Sequence, residues 1–566
     1  MQPSNQLRPT LNERHVNMMS FSQCIGIGLF LQAGRVIYLA GPGLGTLAYF
    51  VTGTIMWSSA ACLGEMAALF PVKGPIFEFP RRFLDDALGF CWIVLIAAEL
   101  VAITHIFQFE YPEDLLREAG YPDTTLRSWP DVSPSVIVFL FLILMGLINL
   151  LPVRQFGQLE YIFGSLKIIF IVIMIVLNVV LHIVQPVYRG PFWTYNDPYS
   201  FTARNITLPN GHVVTGGPGR LGGMWEAMTT CLFGMIGFET VAITAAENRD
   251  LRTEETMKIA TRKISLRIIT LYTLATFAVG LNVPYTYPLI HDNSVISFGY
   301  GQNSVFVIAT VLNRLSSWPY FINDFIVFTA FSAGANGLYN ASRTLHALAS
   351  IPDAWPDWEP IQAFRRRLER TRYGVPHAAA LVSWLFGLLG FLADNPSSQV
   401  VSFLIGYFLR PHFWYSSKAA SEGNDENVDN KDDPDIRKLY NRDHHQYPYK
   451  SHGQYLRACY ALTGCSMFIF FNGWRTFVPP MNVADFLACY LPIVLFAAIF
   501  TLYKVKSGGF NPLNWQRRAI NELQIPRPQI ATSVPRRGRL ALENTDNLFT
   551  LGNLKQLGRF IWVWLK

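Results

Sequence analysis

Charge is scarce in this sequence, and signatures of catalysis are missing. Only 15% of the 566 residues are Asp, Glu, Lys or Arg, against about 25% in a typical soluble chain. The charges that are present lie between long apolar runs. The run from Leu159 to Val184 holds only Glu160 and Lys167 as formal charges. Cysteine is also sparse: Cys24, Cys62, Cys91, Cys231, Cys459, Cys465 and Cys489 all sit in apolar stretches, and none forms a CxxC pair. Neither a disulfide framework nor a metal site is expected from them. There is no GxxxxGK[ST] loop, which argues against ATP drive within the chain. HExxH and GxSxG are absent too, which argues against a zinc peptidase or a serine hydrolase. The reading is of a protein that is not an enzyme.

What the chain has in abundance is apolar length. Its mean hydropathy is +0.24 and 51% of its residues are hydrophobic. About 20 apolar residues cross a bilayer as a helix, and the helix is required because lipid offers no partner to free backbone groups. Apolar runs fall at roughly 18–39, 44–69, 88–109, 135–151, 161–184, 225–245, 267–288, 318–341, 376–394, 398–416, 456–474 and 484–503. The pattern predicts an all-α integral membrane protein of about 12 transmembrane helices. A polar segment, 1–17, precedes one membrane domain, 18–505, and a basic tail, 506–566, follows it. The first apolar run follows a segment containing Arg8 and Arg14 and is too long for a signal-peptide core, so it reads as an uncleaved span.

The loops suggest an orientation. Arg8 and Arg14 precede span 1, and Lys73, Arg81 and Arg82 follow span 2. Arg249, Arg252, Lys258, Arg262, Lys263 and Arg267 follow span 6, and Arg365, Arg366, Arg367, Arg370 and Arg372 follow span 8. Alternate loops are poor in base, and Glu110 to Pro134 carries six acids against Arg117 and Arg127. Basic loops stay inside, so both termini are expected in the cytoplasm. The net charge of +7 then reflects this rule and not nucleic-acid binding. An acidic cytoplasmic loop is expected within 417–453. The end of the tail, Arg559 to Lys566, reads equally as a membrane-surface segment or as a free end. No cytoplasmic partner of loop or tail can be named. Asn205-Ile206-Thr207 is a possible glycosylation sequon on the outside, whereas Asn340-Ala341-Ser342 lies in or beside a span.

Two spans carry paired glycines. Span 1 has Ile25-Gly26-Ile27-Gly28-Leu29, and span 6 has Phe233-Gly234-Met235-Ile236-Gly237-Phe238-Glu239. Glycine weakens a helix and exposes backbone, and a break at membrane depth survives where it is buried in protein or lines a cavity. Freed N–H groups can hold a carboxylate and freed carbonyls an ammonium. Close helix packing through small residues is the other reading of either motif alone. Their matching positions in two halves of the chain favour a transport site. Among the ionisable residues that fall inside spans, Glu99, Lys167 and Glu239 stand out. Each costs about 2.5–3.5 kcal/mol at the bilayer centre and needs a partner, in a structural ion pair or in a functional site.

The chain resembles the fungal amino-acid permeases (the yeast amino acid transporter family) of the amino acid–polyamine–organocation superfamily. The likeness runs from about Leu11 to Val505. It is carried by Arg14-His15-Val16, Ile25-Gly26-Ile27-Gly28-Leu29-Phe30, Gly41-Pro42-Gly43, Leu63-Gly64-Glu65-Met66-Ala67 and Ala98-Glu99-Leu100. Phe156-Gly157-Gln158-Leu159-Glu160-Tyr161, Gly237-Phe238-Glu239-Thr240-Val241, Ser332-Ala333-Gly334-Ala335-Asn336 and Ser342-Arg343-Thr344-Leu345 extend it. Leu439-Tyr440-Asn441-Arg442-Asp443, Pro448-Tyr449-Lys450, Phe471-Asn472-Gly473-Trp474 and Pro479-Pro480 complete it.

The resemblance implies two inverted five-helix repeats of the LeuT kind plus two further helices. It implies import of L-amino acids across the plasma membrane by proton symport with alternating access, with protons as coupling ion and no other cofactor. The substrate carboxylate is expected at Ile25, Gly26, Ile27, Gly28 and Leu29. The amine is expected near Phe233, Gly234, Met235, Gly237 and Glu239. Lys167 and Glu99 match the family's span 5 Lys and span 3 Glu and are the expected proton-coupling pair. Unlike the family, this chain has Ile25 and Ile27 where Thr or Ser is usual, a shorter stretch between Phe90 and Glu99, and Arg410-Pro411 interrupting span 10. The alternatives are an amino-acid-sensing membrane receptor and a transport-impaired homologue.

Overall fold

The computed structural model describes residues 11–69, 109–121, 125–128, 132–184, 204–235, 240–247, 254–290, 303–350, 358–388 and 453–479, with gaps of one residue, and isolated positions elsewhere. Within them the chain is mostly helical. α1 is Glu13–Cys24 and α2 is Ile27–Leu69. A two-residue antiparallel ladder pairs Phe109–Glu110 with Arg127–Ser128 around a short α3, Glu113–Glu118. Next come α4, Pro134–Asn149, and α5, Val153–Val184. They are followed by α6, Gly216–Phe233, the short α7, Thr240–Ile243, and α8, Glu254–Gly280. The chain continues with α9, Val305–Leu312, α10, Trp318–Ala349, α11, Glu359–Leu368, α12, His377–Leu385, and α13, Gln454–Phe471. The regions expected as spans 3 and 10, most of span 12, the acidic loop and the tail lie outside the described residues.

α5 shows why this is a membrane fold. Its buried positions run Val153, Phe156, Gly157, Glu160, Gly164, Lys167, Phe170, Ile171, Met174, Asn178 and Leu181, a stripe of alternating three- and four-residue steps. The opposite face is exposed and wholly aliphatic at Ile162, Leu166, Ile169, Val172, Ile173, Val176 and Val180. A soluble helix hides its apolar face, whereas this one turns it outward and hides a carboxylate, an ammonium and an amide. With 32 residues at 1.5 Å rise, α5 is about 48 Å long, more than the bilayer core. α4 repeats the pattern with Val136, Phe139, Leu140, Ile143, Leu144 and Leu147 outward.

The expected spans 1 and 2 form one continuous apolar unit with two interruptions. The first, at Ile25 and Gly26, separates α1 from α2. The second lies inside α2 at Gly41, with φ 80° and ψ 164°; that backbone suits glycine, and Pro42 follows it in the turn. Two boundaries differ from the hydropathy reading. α1 already begins at Glu13, so the polar N-terminal segment is partly helical. α8 begins at Glu254 and ends at Gly280, so the basic stretch read as a loop is helical over its second half. Charged residues can extend a span past the bilayer, because their heads stay hydrated while the backbone keeps its own hydrogen bonds.

The core gathers around the first break. α1 packs on α5 and α10, while α2 packs on α8 and α6. Phe30 meets Phe170 in a tilted contact and Phe306 edge-on, with centroids 5.7 and 5.5 Å away. Outside the bundle, Arg204 lies over the Tyr38 ring at 4.0 Å and donates to Tyr38 O at 2.7 Å. This ties a small hairpin, 204–214, to the end of the span 1 helix.

Candidate functional site: two broken helices and a buried lysine

α1 ends because Gly26 cannot hold the helix against its alternatives. Its N–H turns back to Cys24 O at 3.1 Å, a tighter bond than the helical one. The carbonyls at the end of α1 must then find other donors. Tyr272, from α8, donates its hydroxyl to Cys24 O at 2.6 Å. Lys167, from α5, donates its ammonium to Ser22 O at 2.6 Å, Ile25 O at 2.8 Å and Thr329 O of α10 at 3.0 Å. Its side chain is fully buried. The ammonium that the broken helix was expected to hold on its carbonyls is thus the protein's own. On the other side of the break α2 opens at Ile27. The N–H groups of its first turn, Ile27 to Phe30, have no partner within the helix and carry its positive pole.

The second break faces the first. α6 stops at Phe233 and α7 resumes at Thr240. A methyl group on Gly234 would lie 3.1 Å from the carbonyl carbon of Gly28. Gly237 has φ 123°, and a methyl there would meet Cys24 N at 2.9 Å. Both glycines therefore let the span 6 backbone lie directly on the span 1 break. Ile25, Gly26, Ile27, Gly28, Leu29, Gly234, Met235 and Gly237 come together, and all are buried. Phe233 ends α6 beside them. Glu99 and Glu239 lie outside the described residues.

A carboxylate that the sequence reading passed over completes the site. Glu160 is fully buried on α5 and accepts from Asn336 Nδ2 at 2.5 Å and from Ser332 Oγ at 3.3 Å. The hydroxyls of Ser332 and Ser22 are 2.8 Å apart. Ser22 therefore links the two charges: its carbonyl holds Lys167, and its hydroxyl leads through Ser332 to Glu160. Oε1 of Glu160 has no hydrogen-bond partner among the described residues. The signal for Glu160 was present, since it stands seven residues before Lys167, two turns down the same face.

Two further networks lock the region below. Gln23, Thr240 and Asn340 join α1, α7 and α10, with Thr240 Oγ1 and Asn340 Nδ2 both donating to Gln23 Oε1, at 2.8 and 2.5 Å. Arg343 Nε bonds Glu247 Oε1 at 3.2 Å with both side chains almost wholly buried. The Tyr339 hydroxyl donates to the same carboxylate, and the Arg343 guanidinium lies 3.6 Å over the Tyr339 ring. Asn340 is thus a core residue, as expected for the second sequon. Asn205 is half-buried in the 204–214 hairpin, and its Oδ1 is enclosed with no partner among the described residues. The six described cysteines form no disulfide with one another. Among the described residues no cluster of His, Cys, Asp and Glu has the makings of a metal site.

Comparison with known proteins gives this geometry its family. An uncharacterized amino-acid permease of Schizosaccharomyces pombe is 28% identical over 88% of this chain and 89% of its own length. A lysine/arginine permease of Candida albicans is 24% identical over 89% and 81%, and a proline-specific permease of Emericella nidulans is 27% identical over 88% and 84%. A solved structure of the Eremococcus coleocola manganese transporter is similar with a TM-score of 0.46 and 10% identity, over 88% of this chain and 96% of that one. The amino acid permease family model matches residues 15–408, a stretch that contains both helix breaks, Lys167 and Glu160. The chain therefore belongs to the amino acid permease family, as an integral membrane transport protein and not an enzyme.

Proposed function

We propose that the protein imports L-amino acids across the plasma membrane by proton symport with alternating access. The reading adds two inverted five-helix repeats, spans 1–5 and 6–10, each opening with a broken helix, plus two further helices. The observation that carries it is the meeting of the two breaks, with Lys167 seated on the carbonyls of the first. The substrate's α-carboxylate binds the N–H groups at Gly26 to Leu29, where the pole of α2 favours an anion. Its amine lies toward the carbonyls of the second break, at Phe233 to Gly237, with Glu239 as an acidic neighbour. The named relatives divide between basic amino acids and proline, so the shared recognition is of the amino-acid backbone. Ile25 and Ile27 offer no hydroxyl, and backbone groups carry this part of the site alone.

Lys167 carries the coupled proton. As an ammonium it ties α1, α5 and α10 together through charge-assisted bonds. As an amine it loses the charge that strengthens them, and α1 is released to move. Glu160, joined to Lys167 through Ser22 and Ser332, supplies compensating charge within the described residues; Glu99 is assigned a second such role from span 3. Both termini, the loop 246–266 and the acidic loop 417–453 face the cytoplasm, as the basic loops require. Labelled amino-acid uptake into proteoliposomes, with and without an inward proton gradient, tests the reading. Accumulation only with the gradient supports it. Substrate binding with no uptake in either condition refutes it in favour of a receptor.

A further inference from the structure

α11 carries more positive charge than its own acids neutralise. It is fastened to the end of α10: Arg365 Nη1 donates to Ala349 O at 2.9 Å and His346 Nδ1 lies 3.2 Å from Leu368 O, while Trp355, ahead of α11, donates Nε1 to Leu348 O at 3.0 Å. Leu368 is buried with Ala349 and Ala379. Because α10 and α12 are both read as spans, α11 is held where they leave the bilayer. Glu369 pairs with Arg365 at 3.5 Å and Glu359 with Arg366 at 2.6 Å. Arg366, Arg367 and Arg370 are exposed, and Arg367 and Arg370 make no ion pair among the described residues. Arg366 and Arg367 stand on the last turn of α11, and Arg370, two residues past its end, turns back with its N–H on Arg367 O at 3.3 Å. Beside them Trp358 is 64% and Phe364 43% exposed. Arginine next to exposed aromatic rings is the side-chain set of a helix lying at the headgroup level.

We propose that α11 binds anionic phospholipid of the leaflet it faces. Arg366, Arg367 and Arg370 would take phosphate and carboxylate oxygens, and Trp358 and Phe364 the boundary with the acyl chains. A guanidinium fork suits such oxygens, and the cytoplasmic leaflet is the anionic one. The inference rests on the orientation given under the proposed function, which a cysteine label at position 249 tests separately.

The test uses the full chain, with its cysteines replaced and one cysteine in place of Ala363 carrying an environment-sensitive fluorophore. It is placed in nanodiscs of phosphatidylcholine with increasing phosphatidylserine in both leaflets, so the outcome does not depend on orientation. Emission should move to the blue as phosphatidylserine rises. Each arginine near an anionic surface is worth about fivefold in binding. Three arginines together are worth about a hundredfold, so the variant Arg366→Gln/Arg367→Gln/Arg370→Gln should lose the shift over the phosphatidylserine range that saturates the parent. The corresponding triple Arg→Lys variant should stay within a few-fold of the parent, which separates loss of charge from loss of fold. No shift with phosphatidylserine, or an equal shift in the Gln variant, overturns the proposal. So does a saturating shift in pure phosphatidylcholine discs on adding inositol hexakisphosphate, or a peptide of residues 421–443, since either would assign the arginines to a soluble ligand or to the chain's own acidic loop.

Discussion

Replacing Lys167 by Met keeps most of its length and removes its charge and donors. In the parent, Nζ donates to three carbonyls at 2.6, 2.8 and 3.0 Å. Thr329 O lies inside α10 and keeps a helical bond, so two carbonyls, those of Ser22 and Ile25, lose the donor seen here. An unsatisfied buried polar group costs about 1–3 kcal/mol, so the gross loss is about 2–6 kcal/mol. Relief of the ammonium's own desolvation, several kcal/mol for a buried ion, offsets part of it. The variant should fold with a stability loss of about 2–3 kcal/mol, visible as an earlier melt in detergent. Removing the ammonium also strands Glu160, so adding Glu160→Gln should restore part of the stability, as expected for residues in one network. Function should change more sharply. A pH gradient of one unit stores about 1.4 kcal/mol, enough for about tenfold accumulation at one proton per substrate. The parent should approach that ratio, and its uptake should rise as the external pH falls, since acid outside favours the ammonium. Lys167→Met should equilibrate labelled substrate without concentrating it, independent of pH, while counterflow exchange persists. Lys167→Arg should also fail to accumulate, because arginine does not release its proton at accessible pH. Folded Lys167→Arg protein that still concentrates substrate against a gradient would refute the reasoning.

Gly26→Val and Gly28→Val should abolish substrate binding with membrane targeting intact, because a branched side chain blocks access to the backbone; a binding titration on purified protein checks this. Gly237→Ala should cost about 1–3 kcal/mol, since its φ of 123° is strained for any residue with a Cβ and Cys24 N is in the way; a thermal melt reads it. Arg343→Ala should cost about 3–5 kcal/mol by leaving Glu247 charged and buried, and Arg343→Ala/Glu247→Gln should recover part of that. Single cysteines at positions 249 and 123 of a cysteine-free variant should label from opposite sides, with position 123 reached from outside in intact cells.

The breaks were legible in the sequence because their cause is local. Paired glycines in an apolar run announce where a helix can give way, and the Gly41-Pro42 turn coincides with the gap read between spans 1 and 2. What fills the breaks was not legible, because that depends on which helices meet. Nothing near Lys167 in sequence points to Ser22, Ile25 or Thr329, which lie 145, 142 and 162 residues away. Glu160 is the instructive miss. Hydropathy placed it at the edge of span 5, yet α5 begins at Val153 and carries it fully inside. Its register with Lys167 was in view, and only the helix boundary hid it. Arg343 and Glu247 could not have been paired from spacing, since both sat at expected span ends. The start of α8 was missed because a scale that rewards apolar residues cannot see the charged extension of a helix beyond the lipid.

The most direct test of proton symport follows protons and not substrate. Purified protein is reconstituted in vesicles with a pH-indicator dye trapped inside, the membrane potential is clamped, and amino acids are added outside at equal pH. The account predicts that the lumen acidifies on addition of a transported amino acid, in proportion to the substrate that enters, and that Lys167→Met vesicles show no such change. Substrate entry with no acidification, or the same acidification in Lys167→Met, would contradict it.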